Sequence, residues 1–174
     1  MIETTQTVTV AAPIDAVWDH ARDVSRWAEI MPGYRECEIR DEDHSHWVLK
    51  VGVGGLVRTV KVNVTVTRWA GPEAVDFEYA LEGDPVSGGG TYRAEPAGEG
   101  ETRMELHVRV VGAGPMAPMW EAMGRPLLPK FALGFAHELK AAIEAGRHPQ
   151  PAGESADQPG MMAKIGRILG RKGD

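Results

Sequence analysis

Apolar and polar residues alternate with a period of two between residues 34 and 111, which is the pattern of strands with one buried face. The clearest case is the run of Val60, Val62, Val64 and Val66, which alternates with polar residues throughout. Short turns rich in Gly, Pro and Asp separate the strands, so the pattern predicts an antiparallel meander with one apolar face. The other positions expected on that face are Cys37, Ile39, Trp47, Leu49, Val51, Val53, Val75, Phe77, Tyr79, Leu81, Tyr92, Ala94, Met104, Leu106, Val108 and Val110.

Shorter elements precede the meander. Residues 7–10 alternate strictly and predict a strand whose two valines face inward. Pro13 then marks the start of a short helix, because proline is tolerated in the first turn of a helix. A second short helix is expected to follow, capped by Asp23 or Ser25 and ending before the turn Met31-Pro32-Gly33.

The period changes to four towards the end of the chain. Phe131, Phe135, Leu139 and Ile143 recur at every fourth position, which predicts an amphipathic helix over residues 127–145. At 1.5 Å per residue this helix would be about 28 Å long, enough to cross a sheet. The order of elements therefore predicts an α+β fold, in which a curved sheet of seven antiparallel strands is covered by the last helix.

A cluster of pliable apolar side chains lies just before that helix. It consists of Met116, Met119, Trp120 and Met123, and three prolines between residues 112 and 126 predict a backbone that is irregular at both ends of this stretch. Methionine re-packs around apolar shapes of different outline, which suits the entrance of a ligand site.

Composition narrows the class of protein. The 174 residues suit a single domain, and an apolar fraction of 43% is enough for a core. The net charge of −6 argues against nucleic acid as a general partner. Cys37 is the only cysteine, so no internal disulfide forms and we expect the reducing cytoplasm. The first residues lack the pattern of a signal peptide, and no apolar run reaches the ~20 residues of a membrane span.

The end of the chain differs from the rest in charge. After a folded domain of residues 1–148, residues 149–160 have the composition of a flexible linker. Four basic residues and one aspartate then give residues 161–174 a charge of +3, so the rest of the chain carries −9. At an anionic membrane each basic residue contributes about 1 kcal/mol, which predicts a reversible surface anchor. A tail that only keeps the protein soluble is the alternative. The residues expected at the membrane are Met161, Met162, Lys164, Ile165, Arg167, Ile168, Leu169, Arg171 and Lys172.

Several short motifs resemble a known superfamily. Ala12-Pro13, Val17-Trp18, Asp23, Trp27 and Met31-Pro32-Gly33 are similar to the opening of the START-like helix-grip superfamily. That group includes the birch-pollen allergens, polyketide cyclases and quinone-binding proteins. Within it, Met31-Pro32-Gly33 with the runs at 49–54 and 87–90 most resembles the G-subunit family of carbon monoxide dehydrogenase.

The resemblance covers roughly residues 3–146 and implies a fold more strongly than a chemistry, because the superfamily includes carriers, sensors and enzymes. It implies a seven-stranded sheet that grips the long helix, with an apolar cavity between them. The similarity to the G-subunit family further implies a protein that presents a lipid-like quinone to a membrane-linked redox enzyme.

We expect a ligand cavity because aromatic and methionine side chains crowd the inner face; a fully packed core is the alternative. Tyr79 and Tyr92 place hydroxyls on that face, where they either orient a carbonyl, as in a quinone, or reach water at strand ends. The residues expected to contact the ligand are Trp47, Leu49, Val64, Val66, Phe77, Tyr79, Tyr92, Met104, Leu106, Met116, Met119, Trp120, Met123, Leu127, Phe131 and Phe135.

Other motifs carry little chemistry. The run Asp-His-Ser-His at 43–46 lies in a predicted turn without a third partner at metal-ligand spacing. The glycines at 52–55 fit a hairpin, and those at 88–90 fit a flexible turn or bulge rather than a phosphate site. Arg125 is the best charged candidate beside the methionine cluster, and a solvated loop arginine is its simpler interpretation. The titratable residues expected to point outward are His46, Asp76, Glu78, His107 and Arg109.

Three functions remain open at this point. The first is a non-catalytic carrier of a hydrophobic molecule, with menaquinone or another prenylated quinone as candidates. It would dock at the inner face of the cell membrane and deliver its cargo to a redox enzyme such as a molybdenum hydroxylase. The second is an enzyme of the polyketide cyclase or aromatase kind, which needs titratable groups that converge inside the cavity. The third is an accessory factor that binds the redox enzyme through its acidic outer face. No catalytic residue, metal or permanent cofactor is expected, only a bound quinone or lipid.

Overall fold

The computed structural model describes residues 1–53 and 55–147 of the chain. Its elements follow the predicted order of one strand, two short helices, six strands and a long helix. Their bounds are β1 Ile2–Val10, α1 Ile14–Ala21, α2 Val24–Ile30, β2 Tyr34–Ile39, β3 His44–Val53, β4 Leu56–Ala70, β5 Ala74–Leu81, β6 Val86–Gly98, β7 Glu101–Gly112 and α3 Ala117–Arg147.

The strands join one seven-stranded sheet in the order β1-β7-β6-β5-β4-β3-β2. Strands β2 to β7 pair consecutively and antiparallel, as a meander requires, and β1 pairs with β7 at the opposite edge from β2. The predicted α+β fold with a seven-stranded antiparallel sheet and a long C-terminal helix is therefore confirmed.

The pairing register places inward-facing residues in common rows across the sheet. One such row is Val64, Tyr79, Gly88, Val110 and Ile2. Burial follows the same parity, because Val62, Val64 and Val66 are each less than a tenth exposed while their neighbours in the chain are not buried. The alternation of valines in the sequence thus reports the two faces of β4 correctly.

Ile39 has the parity of Cys37 and pairs with the buried Ser45, which agrees with its inward assignment, but it is not buried. Its side chain is 50% exposed, because Ile39 is the last residue of β2, an edge strand. A register shift between Tyr34 and Glu36 puts Tyr34 and Cys37 together on the better-buried side of this strand.

Two short helices close one end of the sheet. The Asp23 side chain accepts a hydrogen bond from the backbone N–H of Ser25, which makes Asp23 the N-cap of α2. This helix buries Trp27, whose Nε1 donates to the carbonyl of Ala21 at 2.9 Å. An aromatic chain then joins both helices to the sheet, with ring centroids 6.0–6.2 Å apart. Its members in order are Trp18, Trp69, Trp27 and Phe77.

The long helix begins earlier than the period of four predicts. It covers Ala117–Arg147 rather than residues 127–145, so Met119, Trp120 and Met123 are helical. The expected irregular backbone occurs only before Ala117, where Met116 lies, and the expectation is wrong for the rest of the cluster. Pro118 stands in the first turn, where its missing N–H has no carbonyl to bind. Pro126 and Pro129 lie inside the helix, where each removes one backbone hydrogen bond. The described helix is therefore about 46 Å long, with a weaker first half.

Burial divides the interior into two ends. We call the fully packed part the closed end; it includes Val10, Val17, Val75, Met104 and Ile143, each at most 3% exposed. We call the other part the open end; it consists of residues 117–131 of α3 and the inward-facing Leu106, Val108 and Val110 of β7, none of which is fully buried. The first half of the long helix thus leaves the sheet beneath it partly accessible.

None of the described helices is both long and apolar enough to cross a membrane.

Candidate ligand-binding site

The inner face of the sheet forms an apolar floor from the part of β4 paired with β5 across to β1; outside that area, Arg58 of β4 has inward parity and pairs with Asp84 at 2.7 Å. Where β4 pairs with β5, and across to β1, no described inner-face position carries Asp, Glu, Lys, Arg or His. A charged group would lose its hydration there without gaining a partner. The floor therefore suits an uncharged, mostly apolar molecule.

Two glycines shape the centre of this floor. A Cβ on Gly88 would lie 2.0 Å from the carbonyl oxygen of Arg109 and 2.5 Å from Tyr79 Oη. A Cβ on Gly90 would lie 2.1 Å from the carbonyl oxygen of His107 and 2.7 Å from Phe77 Cζ. The tips of the two aromatic rings therefore cross β6 where side chains would otherwise stand. The expectation of a flexible turn or bulge at 88–90 is wrong, because these glycines are paired residues within β6.

The Tyr79 hydroxyl has a partner within the protein. It crosses β6 and donates to the backbone carbonyl of Arg109 at 2.8 Å. Burial raises the pKa of Tyr79 well above its usual range, against a smaller opposite effect from Arg109, so the phenol is neutral at pH 7. Its donor is therefore already used when a ligand arrives.

The Tyr92 hydroxyl is in a different position. The residue is only 5% exposed, and its Oη is buried without a hydrogen-bond partner in the described part of the chain. Burial raises the pKa of Tyr92 well above its usual range, so its proton stays on the oxygen at neutral pH. Tyr92 also pairs with Val75 and Leu106 in mid-strand, so the strand-end interpretation does not fit it.

Sequence reasoning missed two polar residues of the inner face. Thr4 and Gln6 of β1 pair with Val108 and Leu106, which puts them on the same side as the floor. Gln6 Nε2 donates to Thr4 Oγ1 at 3.1 Å, and both side chains are half-buried. Counting every second residue back from Val8 would have placed both on the inner face. Because they are polar, the sequence pattern did not predict that the strand extends this far.

Helix α3 covers the floor unevenly. Phe131 and Phe135 are half-buried, whereas Ala132, Ala136, Leu139 and Ile143 are fully buried. The three methionines of the cluster lie outward, with exposed fractions of 50% for Met116, 41% for Met119 and 39% for Met123. They can contact a ligand only at the rim of the open end.

The other residues expected at the ligand divide between the two ends. Trp47, Leu49, Val64, Val66, Tyr92 and Met104 are buried in the packed core. Phe77, Tyr79, Leu106, Trp120 and Leu127 are half-buried and therefore nearer to accessible space.

Two surface clefts occur elsewhere on the described part of the chain. One, of about 530 Å³, lies on the outer face of β5–β7 and is lined by Arg68, Arg93 and Arg103 together with glutamates. The other, of about 340 Å³, lies between the junction of α1 with α2 and the turn before β3, where Asp41, Glu42 and Asp43 line it. Both are charged and shallow, unlike the apolar space expected under the helix.

The titratable residues expected to point outward form ion pairs with residues of other strands or turns of the sheet. His46 pairs with Glu82 at 3.1 Å and His107 with Glu3 at 3.3 Å. The remaining pairs are Arg109 with Glu78 at 4.0 Å and Asp76 with Arg93 at 2.9 Å. Arg125 is exposed on α3. These groups lie on the wetted side, away from the floor.

The predicted turn ends earlier than expected, because only Asp43 of the run at 43–46 precedes β3, whereas His44, Ser45 and His46 are its first residues. A hydrogen bond from His44 lowers the pKa of Asp41, and no cluster of three or more metal-ligating side chains occurs among residues 1–53 and 55–147. Cys37 is half-buried, and burial, followed by Glu29 and Asp23, raises the pKa of its thiol. The linker at 149–160 and the basic tail at 161–174 lie outside the described residues.

The sequence of the chain is similar to those of known proteins. The family described as polyketide cyclase/dehydrase and lipid transport matches residues 1–144. A curated relative from Streptomyces cyaneus, described as a candidate polyketide cyclase, is 47% identical over 32 residues. That match spans 18% of this chain and 21% of the relative, about a fifth of its length.

Solved structures share the fold. A conserved protein from Geobacillus kaustophilus has a TM-score of 0.73 at 17% identity, over 84% of this chain and 98% of that one. The Zhui aromatase/cyclase from Streptomyces sp. R1128 has a TM-score of 0.62 at 22% identity, over 87% and 98%. A START superfamily protein from Mycobacterium smegmatis has a TM-score of 0.63 at 15% identity, over 82% and 97%. At these identities the likeness establishes the helix-grip architecture.

Proposed function

The chain belongs to the polyketide cyclase/dehydrase and lipid transport family, and we propose that it is a non-catalytic carrier of an uncharged hydrophobic molecule. The observation that carries the proposal is the floor without charged residues beneath a helix whose first half leaves it partly accessible. Sites for small apolar molecules are lined in this way, with few polar groups.

The placement of titratable groups favours a carrier over an enzyme. A general acid or base must reach the reacting atoms, whereas His46, Asp76 and His107 of the sheet form ion pairs on its outer face. The two inner phenols keep their protons at neutral pH because burial raises the pKa of each. Neither can act as a base under those conditions.

We propose a prenylated quinone such as menaquinone as the cargo. Its long apolar chain suits the floor, and its ring carries carbonyl groups that a tyrosine can bind. The resemblance of Met31-Pro32-Gly33 and the run at 49–54 to the G-subunit family of carbon monoxide dehydrogenase supports this choice, with a redox enzyme such as a molybdenum hydroxylase as recipient.

Mass spectrometry of the protein as isolated from its native host tests the proposal. Under native conditions we expect a bound mass that solvent extraction releases as a neutral lipid or quinone. The variant Val108→Trp, on the inner face of β7, should lose that mass, while Lys61→Trp on the exposed side of β4 should keep it. A wild-type protein that never carries such a mass, even after incubation with menaquinone, would contradict the carrier function.

We further propose that the basic tail docks the carrier at the inner face of the cell membrane. Four basic residues near an anionic surface contribute about 4 kcal/mol, which gives reversible binding. The full chain should sediment with vesicles that contain phosphatidylglycerol and not with neutral phosphatidylcholine vesicles. A chain ending at residue 148 should remain unbound to both, and equal sedimentation of the two chains would remove the tail from the proposal.

A second candidate is an aromatase or cyclase. The matched segment of the Streptomyces cyaneus relative and the fold shared with the Zhui aromatase/cyclase favour it. Incubation with a short poly-β-ketone thioester would decide between the two functions. Cyclised, dehydrated product that disappears in Tyr92→Phe would support the enzyme, and recovery of unchanged substrate from a stable complex would support the carrier.

A further inference from the structure

We infer that the Tyr92 hydroxyl is the polar contact of the site and selects an uncharged ligand that carries a carbonyl oxygen. This inference rests on the proposed function, since it concerns the same space between the sheet and α3. It adds the chemical class of the cargo and assigns different roles to the two tyrosines.

The first step is a comparison of the polar groups on the inner face. Most have partners within the protein: Tyr79 donates to Arg109, Gln6 to Thr4, and Thr102 to the carbonyl of Ala12. Ser45 accepts a hydrogen bond from the indole of Trp47. Among the described side chains with buried polar atoms, only Tyr92 has an oxygen without a partner.

The second step concerns what binding changes. A half-exposed group such as Gln6 exchanges a hydrogen bond to water for one to the ligand, so it gains little. The Tyr92 hydroxyl has no hydrogen bond to exchange, so an acceptor from the ligand is a net gain. A carbonyl oxygen supplies such an acceptor and needs no donor in return.

The third step concerns charge. A carboxylate could also accept from Tyr92, but it would lose its hydration on a floor where no described position carries Lys, Arg or His. Because burial raises the pKa of Tyr92, the phenol remains a donor throughout the physiological range. The site therefore favours a ketone, ester or quinone over a fatty acid or a plain hydrocarbon.

The position of Tyr92 shows how a ligand reaches it. Its row across the sheet runs from Val75, which is fully buried, through Tyr92 to Leu106, which is half-buried. Tyr92 thus lies at the boundary between the closed end and the open end. Since water does not reach Oη, the ligand must displace a side chain from the open end to contact it.

Equilibrium dialysis of the full chain with three matched probes tests the inference. The probes are 2-methyl-1,4-naphthoquinone, 2-methylnaphthalene and 2-naphthoate, which share a ring system and differ in carbonyl groups and charge. We expect the quinone to bind about five- to tenfold more tightly than the hydrocarbon, and the carboxylate to bind least.

Two conservative variants separate the roles of the tyrosines. Tyr92→Phe should lower the affinity for the quinone about five- to tenfold and leave that for the hydrocarbon unchanged. Its melting temperature should stay the same or rise, because the variant removes an unpartnered hydroxyl. Tyr79→Phe should melt at a lower temperature, because it loses the bond to Arg109, while it keeps the preference for the quinone.

The outcomes distinguish the two proposals. If none of the probes binds to the wild type, the carrier function and this inference both fail. If all three bind equally, or if Tyr92→Phe keeps the preference for the quinone, only the inference fails. A Tyr92→Phe protein that binds normally but melts at a lower temperature would assign the hydroxyl a structural role and would equally overturn it.

Discussion

The closed and open ends of the interior are built from the same sheet and the same helix, yet they pack differently. At the closed end Leu139 and Ile143 of α3 meet Val10, Val17 and Val75, and all are nearly inaccessible. At the open end α3 presents Met119 and Met123 to solvent, and β7 beneath it is only half-buried. The closed end stabilises the fold, and the open end is where we propose that a ligand binds.

The difference has a local cause in the helix. Small residues, Ala132 and Ala136, bring the second half of α3 close to the floor. The first half contains Pro126 and Pro129 and so lacks two backbone hydrogen bonds. The second half of α3 is thus tightly packed at the closed end, and its first half is less stable at the open end.

Truncation of one large side chain at each end is expected to give the largest contrast. Ile143→Ala should lower the free energy of unfolding by about 2–5 kcal/mol, because it leaves a cavity in a packed core. Met123→Ala, on the same helix, should change it by less than about 0.5 kcal/mol. Urea denaturation measures both values, and equal losses would show that the two ends do not differ.

A second substitution tests whether the sheet at Gly88 deforms as easily as the first half of α3 above it. Gly88→Ala should lower the free energy of unfolding by about 1–3 kcal/mol, since the new methyl meets a backbone carbonyl that cannot move. Gly52→Ala is the matched control, because the nearest atom lies 3.9 Å away, and it should be nearly neutral. A neutral Gly88→Ala would mean that the floor yields as readily as the helix above it.

Hydrogen exchange should resolve the contrast along α3 itself. We expect amides in residues 117–131 to exchange about tenfold faster than those in 132–143, a difference of ~1.4 kcal/mol in opening free energy. A bound ligand should slow the first group and leave the second unchanged. Uniform exchange along the helix would contradict a division of α3 into two halves.

The smallest effect is expected at the Cys37 thiol. Burial, with Glu29 and Asp23, raises its pKa, so less thiolate is present at pH 8 and iodoacetamide should react several-fold more slowly than with the urea-unfolded chain. The rate should still rise above pH 9. Glu29→Gln should speed the reaction, whereas a ligand at the open end should not; a ligand-dependent rate would show that the two ends are coupled.

The sheet was predictable because strand periodicity is local. The valines of β4 show their face in the sequence itself, and the turns are marked by Gly and Pro. The start of α3 was not predictable from the sequence, because the prolines there suggested an irregular backbone. Gly112 ends β7 against the first turn of the helix, where a Cβ would lie 2.9 Å from the carbonyl oxygen of Ala117. That contact cannot be inferred from the sequence.

The site was predictable in outline and not in detail. Parity assigns Tyr79 and Tyr92 to the inner face, but only the folded chain shows that Gly88 lets Tyr79 reach Arg109 while Tyr92 reaches nothing. The two tyrosines are equivalent in the sequence pattern. Their difference depends on which residues lie across the neighbouring strands, which pairing determines and periodicity does not.

The ring tips of Phe77 and Tyr79 occupy the places above Gly90 and Gly88. They therefore determine which atoms a ligand in the proposed site would contact at the middle of the floor. A flexible apolar chain would contact aromatic carbon there rather than the backbone of β6. The apolar chain of a ligand should then enter along the floor quickly. The lifetime of the complex should depend on whether the polar head group of the ligand binds.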